Sequence, residues 1–276
     1  MKLNIIDAGQ FKLDGGAMHG VIPKSMWHKQ NPADESNMVT WTMRSLLIED
    51  GDRKILIDTG MGDKQSEKFF GYYYPSGKTL MESLNEQGFS AEDITDVFLT
   101  HLHFDHCGGA VIRDGEQLKV QFPNATYWSC ESHWKTATEP NAREKASFLK
   151  ENILPIQESG QLKFVEEKED IQFSENIKIK FVHGHTEAMM LPVINYNGQI
   201  ILYCADLVPA KSHISMPWVM AYDMQPLETL NEKERILPEA YENNWWLFFE
   251  HDVKNACCKL IKDDKGRIRG GENVNL

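Results

Sequence analysis

"FLTHLHFDHCGG", residues 98–109, decides the reading: His101, His103, Asp105 and His106 fall within six consecutive positions, and two glycines follow. Neutral imidazole and carboxylate are donors that zinc and its neighbours accept. The preceding "ITDVFLTH" (94–101) reads as a short buried strand that delivers the chain to this cluster. On an extended chain, side chains at i and i+2 share a face, so His101 and His103 can address one ion. Asp105 and His106 lie past the strand end, where the chain turns, and can address a second. Gly108 and Gly109 allow close backbone approach and are expected to start a helix.

The flanking sequence supplies the rest of a layered α/β pattern. Residues 42–60 read as a hairpin around an Asp-Gly turn. Helical spacing covers 78–90, ending at a glycine, most of 141–159, and a stretch within 226–244. Residues 125–130, 177–185, the two runs around Asn-Gly in 191–206, and 245–252 read as strands. No repeat, linker or composition shift divides the chain, so a single domain over 1–276 is expected.

Three further donors end apolar strands: His185 in "VHGHTE", Asp206 in "YCADLVP" and His251 in "FFEHDV". Loops at one end of a sheet would gather them with the first cluster. Taken singly, each is a residue that also caps turns. His183 shares a face with His185 by alternation and is read either as a surface or structural residue or as a group that supports His185.

Composition excludes other classes. The net charge of −12 argues against a nucleic-acid partner. Five cysteines without a C-x-x-C make a disulfide framework or a cysteine-rich zinc knuckle a poor fit. The N-terminus lacks a signal-peptide pattern and no run of 18 apolar residues occurs, so a cytoplasmic protein without a membrane span is expected.

The order His-x-His-x-Asp-His, then Gly-His-Thr, then Asp, then His resembles the metallo-β-lactamase-fold hydrolases over nearly the whole chain. That resemblance implies a four-layer αββα sandwich with a binuclear site. His101, His103 and His185 would hold one divalent ion and Asp105, His106 and His251 the other, with Asp206 bridging them. Zinc is the first choice, and manganese, iron and cobalt are alternatives. Asp58, in "ILIDTG", would support a ligand histidine. Asp206 would hold the ions at their spacing, and Asp105, or a metal-bound water, would protonate a leaving alkoxide.

The chain departs from the family's patterns in places. After Gly-His-Thr it runs Glu-Ala-Met-Met rather than Pro-Gly-His. Asp206 is the wrong residue type for a true β-lactamase, and His103 stands where flavin-linked di-iron relatives have Glu. Within the family the chain looks most like lactonases that open N-acyl-homoserine lactones, the quorum-quenching type. A phosphotriesterase or general esterase of the methyl-parathion-hydrolase type is the alternative, and a non-catalytic metal-binding protein on the same fold is another. Met189, Met216 and Trp218 are read either as core or as walls for an acyl-bearing ester or lactone, and Tyr222 either as packed or as a donor to a substrate oxygen. A homodimer is compatible with this reading.

Overall fold

The computed structural model describes all 276 residues. Its backbone contacts divide the chain into two compact units. The first comprises Met1–Gln10 and Met43–Lys168, the second Phe11–Thr42 and Glu169–Leu276. The division falls inside two long strands, Lys2–Asp14 and Met38–Asp50.

One sheet has six strands in the order Lys2–Asp14, Met38–Asp50, Arg53–Ile57, Asp96–Phe98, Thr126–Cys130 and Leu162–Val165. The expected hairpin is its second and third strands, antiparallel, with Gly51 in the left-handed region at the turn. The last four strands run parallel. Strands buried on both faces read as continuous apolar runs, and Ile55, Leu56, Ile57, Val97 and Phe98 are buried accordingly. Parallel pairing matters for function because it brings strand ends out at one edge. Ile57 lies opposite Phe98, so Asp58 and the His101 segment leave side by side.

The second unit holds a seven-stranded sheet in the order Ile268–Asn273, Cys257–Lys262, Trp246–Phe248, Gln199–Tyr203, Met189–Tyr196, Ile177–Val182 and Ile171–Ser174. All its pairs are antiparallel except one. Gln199–Tyr203 and Trp246–Phe248 are parallel, with Tyr203 opposite Phe248. Asp206 and His251 therefore each lie three residues beyond the same edge.

Two local expectations need correction. The helix expected over 141–159 is confined to Lys150–Glu158. Residues 142–147 are turns, nucleated where the Asn141 side chain accepts the N–H groups of Arg143 and Glu144. Gly108 and Gly109 start no α-helix. They follow the single turn Phe104–Cys107 and form a short 3₁₀ segment with Ala110. The close approach is present: a Cβ on Gly108 would lie 2.0 Å from the Met61 carbonyl oxygen, and one on Gly109 would lie 2.2 Å from that of Thr59. No helix is long and apolar enough to cross a membrane.

Candidate metal centre

In the first unit the donors crowd one strand edge and are all buried. His101 and His103 are not on the strand, which ends at Phe98. The loop brings them together instead, with ring centroids 4.6 Å apart. His133 holds that loop, its Nε2 accepting the Leu102 N–H at 2.8 Å. Asp105 and His106 lie on the following turn, where Phe104 packs edge-on against Phe69 and at a tilt against Tyr73, both of the helix Glu67–Tyr73. Burial, then the Asp105 charge, push the Tyr73 hydroxyl pKa up.

Asp58 organises this set. It sits in the left-handed region at φ 57°, a conformation Asp tolerates better than most residues. Its carboxylate accepts the Thr100 N–H at 2.8 Å, the Thr100 hydroxyl at 2.6 Å and His106 Nδ1 at 3.1 Å. Because the Thr100 proton goes to Asp58, its oxygen accepts from His101 Nδ1, 3.1 Å away. Both rings thus carry their proton on Nδ1 and keep a lone pair on Nε2. His103 is reversed. Its Nε2 donates to Glu144 Oε1 at 3.1 Å, leaving Nδ1 as the ligand atom.

The second unit gathers His185, Asp206 and His251, also buried. Each oxygen of Asp206 faces a different ring: Oδ2 lies 3.1 Å from His185 Nε2, and Oδ1 lies 3.1 Å from His251 Nε2. The opposite nitrogens are committed as donors. His185 Nδ1 donates to Asp223 at 2.8 Å, and His251 Nδ1 donates to the Thr42 carbonyl at 2.7 Å. Ala205, just before Asp206, is itself left-handed at φ 40°, a strained conformation of the kind that concentrates at functional sites. The Gly-His-Thr loop is pinned by Glu232, which accepts the His183 N–H at 2.5 Å and the Gly184 N–H at 3.2 Å.

These tautomers supply a test of whether a cation fits. With Nδ1–H committed, a neutral His185 or His251 points an Nε2 lone pair at a carboxylate oxygen. Two acceptors in contact require a proton or a cation between them. Burial works against a charge on His185, yet Asp206 and Asp223 overcome it and raise its pKa to about 10. Imidazole nitrogen and carboxylate oxygen are also the donor chemistry of zinc and its neighbours. The donors of both units fit divalent metal on these grounds.

The other expected residues lie in varied settings. His183 is half-exposed, with Nδ1 on Glu187 at 3.1 Å, because the strand ends at Val182 and the alternation with His185 stops there. Met189 is buried in the sheet opposite Val182. Trp218 and Met216 line a cavity of about 1070 Å³ within the second unit, which none of His185, Asp206 and His251 lines. Tyr222 is half-buried beside Asp223. Two supporting carboxylates, Glu144 and Asp223, carry no signal of their histidine partners in the sequence. The Asn141-x-x-Glu144 spacing is a turn-initiating pattern that marks a local structure but not its histidine partner. Asp223 follows Tyr222 in a loop with no periodicity.

A sequence profile described as the metallo-beta-lactamase superfamily matches residues 44–246. The chain belongs to that superfamily. It has the metallo-β-lactamase fold and is a metal-dependent hydrolase; members of this family bind divalent ions. A probable metal-dependent hydrolase from Staphylococcus aureus is 29% identical, with a TM-score of 0.88 and coverage of 99% of this chain and 98% of its own. An N-acyl homoserine lactonase from Bacillus cereus is 24% identical over 277 residues, covering 95% of this chain and 98% of the relative. The solved dizinc quorum-quenching lactonase AidC is 21% identical with a TM-score of 0.78, covering 99% of this chain and 95% of its own, a likeness of fold.

Proposed function

We propose that the chain is a lactone hydrolase of the N-acyl homoserine lactone type, and hence quorum quenching, that works with two divalent ions, zinc in the first place. The observation that carries the metal reading is the set of fixed tautomers. Four histidines, His101, His106, His185 and His251, have Nδ1 committed and Nε2 left as a ligand atom. Relatives named N-acyl homoserine lactonase support the substrate class.

In this reading His101, His103 and His185 would hold one ion, Asp105, His106 and His251 would hold the other, and Asp206 would serve both. Bound there, two divalent ions supply Lewis acidity that polarises a carbonyl and lowers the pKa of water toward ~7. The chain's own residues do the rest. Asp58, Glu144 and Asp223 orient the rings and keep each tautomer fixed. Asp105, its Oδ2 3.8 Å from His106 Nε2, is the residue placed to take the proton that water gives up on adding to the carbonyl and to pass it to the leaving alkoxide. Phe69 and Tyr73 bring apolar surface over Phe104 and keep water from the Asp105 turn. Tyr222 is a donor for a substrate oxygen.

The test is elemental analysis of the purified protein with a panel of acyl-homoserine lactones, phosphotriesters and cephalosporins. Close to two ions per chain and turnover concentrated on lactones are expected. One ion per chain would end the binuclear reading. Faster turnover of phosphotriesters would move the substrate assignment to that class.

A further inference from the structure

The cavity of about 1070 Å³ in the second unit lies outside the donor set, and its chemistry is distinct. Its walls are apolar and aromatic, including Trp41, Trp218, Met216 and Ile214. Ligand pockets of this kind bury an apolar body and fix it with a few polar groups.

The charged groups here are mostly cationic, among neutral polar side chains such as Gln30, Asn31 and Ser212. Lys211, Lys254, Arg267 and Arg269 line the cavity, in a chain whose net charge is −12. Asp252 is the one acid among the lining residues. Its carboxylate is occupied by backbone N–H groups: Lys254 and Asn255 on Oδ1, Lys211 on Oδ2. Outside the lining, Asp263 pairs with Arg267 at 2.8 Å and lies 3.4 Å from Arg269. Lys211 Nζ donates only to neutral acceptors, the Gly271 carbonyl and Asn273 Oδ1, both at 2.7 Å. The balance around the cavity is therefore positive, against the sign of the whole chain.

One wall is also pre-formed. Residues 215–218 are tied down by Lys233, fully buried, whose Nζ donates to the carbonyls of Ser215, Met216 and Trp218 at 3.0, 3.2 and 2.9 Å. Arg269 Nη1 donates to Ser215 Oγ at 3.1 Å, which sets the guanidinium against the same wall. A pocket held open in this way loses little conformational freedom when it fills.

We propose that this cavity is a second ligand site, separate from the metal donors, that takes one medium-chain carboxylate. The hydrocarbon body lies against Trp41, Trp218 and Met216, and the carboxylate meets Arg269 and Lys211, guanidinium being the better matched of the two heads. The site has a route to the reaction. Trp41 precedes Thr42, whose carbonyl takes His251 Nδ1, and Asp252 follows His251. The assignment does not depend on which ester the protein hydrolyses.

Calorimetry on the metal-loaded full-length protein tests it with four probes: decanoate, an N-decanoyl amino acid, decanol and decyltrimethylammonium. Decanoate is expected to bind once per chain, with the alcohol and the cation at least tenfold weaker. The N-decanoyl amino acid tells whether the head region admits an amide as well as a bare carboxylate. Tighter binding of either carboxylate supports the site. Arg269→Gln is expected to weaken the carboxylates at least tenfold and leave decanol unchanged. Met26→Trp, at the exposed rim, is expected to weaken all four by filling the mouth. Circular dichroism checks that both variants fold. Equal binding of the cationic and anionic probes would overturn the proposal. So would decanoate binding that both variants leave intact and His185→Ala abolishes, since the carboxylate would then sit on metal.

Discussion

The two donor sets solve one problem by opposite routes. In the first unit His101, His103, Asp105 and His106 are near-neighbours in sequence, and one loop and one helical turn arrange them. In the second, His185, Asp206 and His251 come from three separated strand ends, and the sheet arranges them. Yet each set is built on a parallel strand pair in register, Ile57 with Phe98 and Tyr203 with Phe248. Each has a left-handed residue beside the edge, Asp58 and Ala205, and a carboxylate that locks a ring, Asp58 and Asp223. Local sequence can replace long-range register for placing donors, but not for holding their tautomers.

The sharpest way to break the comparison is at the shared carboxylate. Asp206 faces both rings of the dispersed set, so Asp206→Ala leaves His185 and His251 with no common partner. Turnover is expected to fall by about 10³-fold or more, roughly 4 kcal/mol, with loss of at least one ion. The fold should survive, as one strand-end carboxylate does not make the core. Steady-state kinetics with metal analysis check this, and full activity with two ions retained would remove Asp206 from the site.

That asymmetry also explains what could be read from sequence. The contiguous motif was legible because its spacing is itself the geometry. His185, Asp206 and His251 were legible only as a set in family order, because each alone is an ordinary strand-end residue. Glu144 and Asp223 were not legible: each reaches its histidine across a stretch of irregular chain, 41 and 38 residues away in sequence. The apolar runs gave the strands, but periodicity could not separate the wall residue Met216 from the buried Met189. Helical spacing over 141–159 overstates the helix because Asn141 diverts the backbone into turns before Lys150.

Two glycines carry the comparison into stability. A Cβ on Gly108 would meet the Met61 carbonyl oxygen at 2.0 Å, and one on Gly184 would meet the Thr229 backbone nitrogen at 2.4 Å. Backbone cannot yield as a side-chain tip can, so Gly108→Ala and Gly184→Ala are each expected to cost about 2–3 kcal/mol. Urea melts check this. A cost under about 0.5 kcal/mol at either would mean that its loop has slack.

Smaller effects are expected at the carboxylates that hold the rings. Asp58→Asn and Asp223→Asn keep the shape but weaken the acceptor, and metal affinity should fall by about 10- to 100-fold in each. Glu144→Gln should sit at the low end, since Glu144 meets one ring while Asp58 holds His106 directly and His101 through Thr100. Competition with a chelator ranks the three variants. Glu144→Gln costing more than Asp58→Asn would mean that His103, not His101 and His106, depends most on its carboxylate.

The smallest effect compares the lysines that fasten the two regions. Lys64 donates to the Gly108 carbonyl, and Lys233 to those of Ser215, Met216 and Trp218. Burial lowers their pKa values to about 8 and about 7, from 10.5. A depressed lysine means that the unfolded chain holds a proton the native state has released. Stability from this source therefore rises with pH, from about 7 to 10.5 for Lys233 and from about 8 to 10.5 for Lys64. Lys233→Met should abolish its share of that rise while losing about 1–3 kcal/mol near neutral pH, because buried carbonyls lose their donor. Lys64→Met should do the same over the narrower window with a smaller loss, as one carbonyl is involved rather than three. The readout is the difference in slope between wild type and variant in denaturant melts from pH 7 to 9, which cancels groups common to both. Parallel slopes for wild type and Lys233→Met would mean that the three carbonyls hold the ammonium charged as firmly as water does.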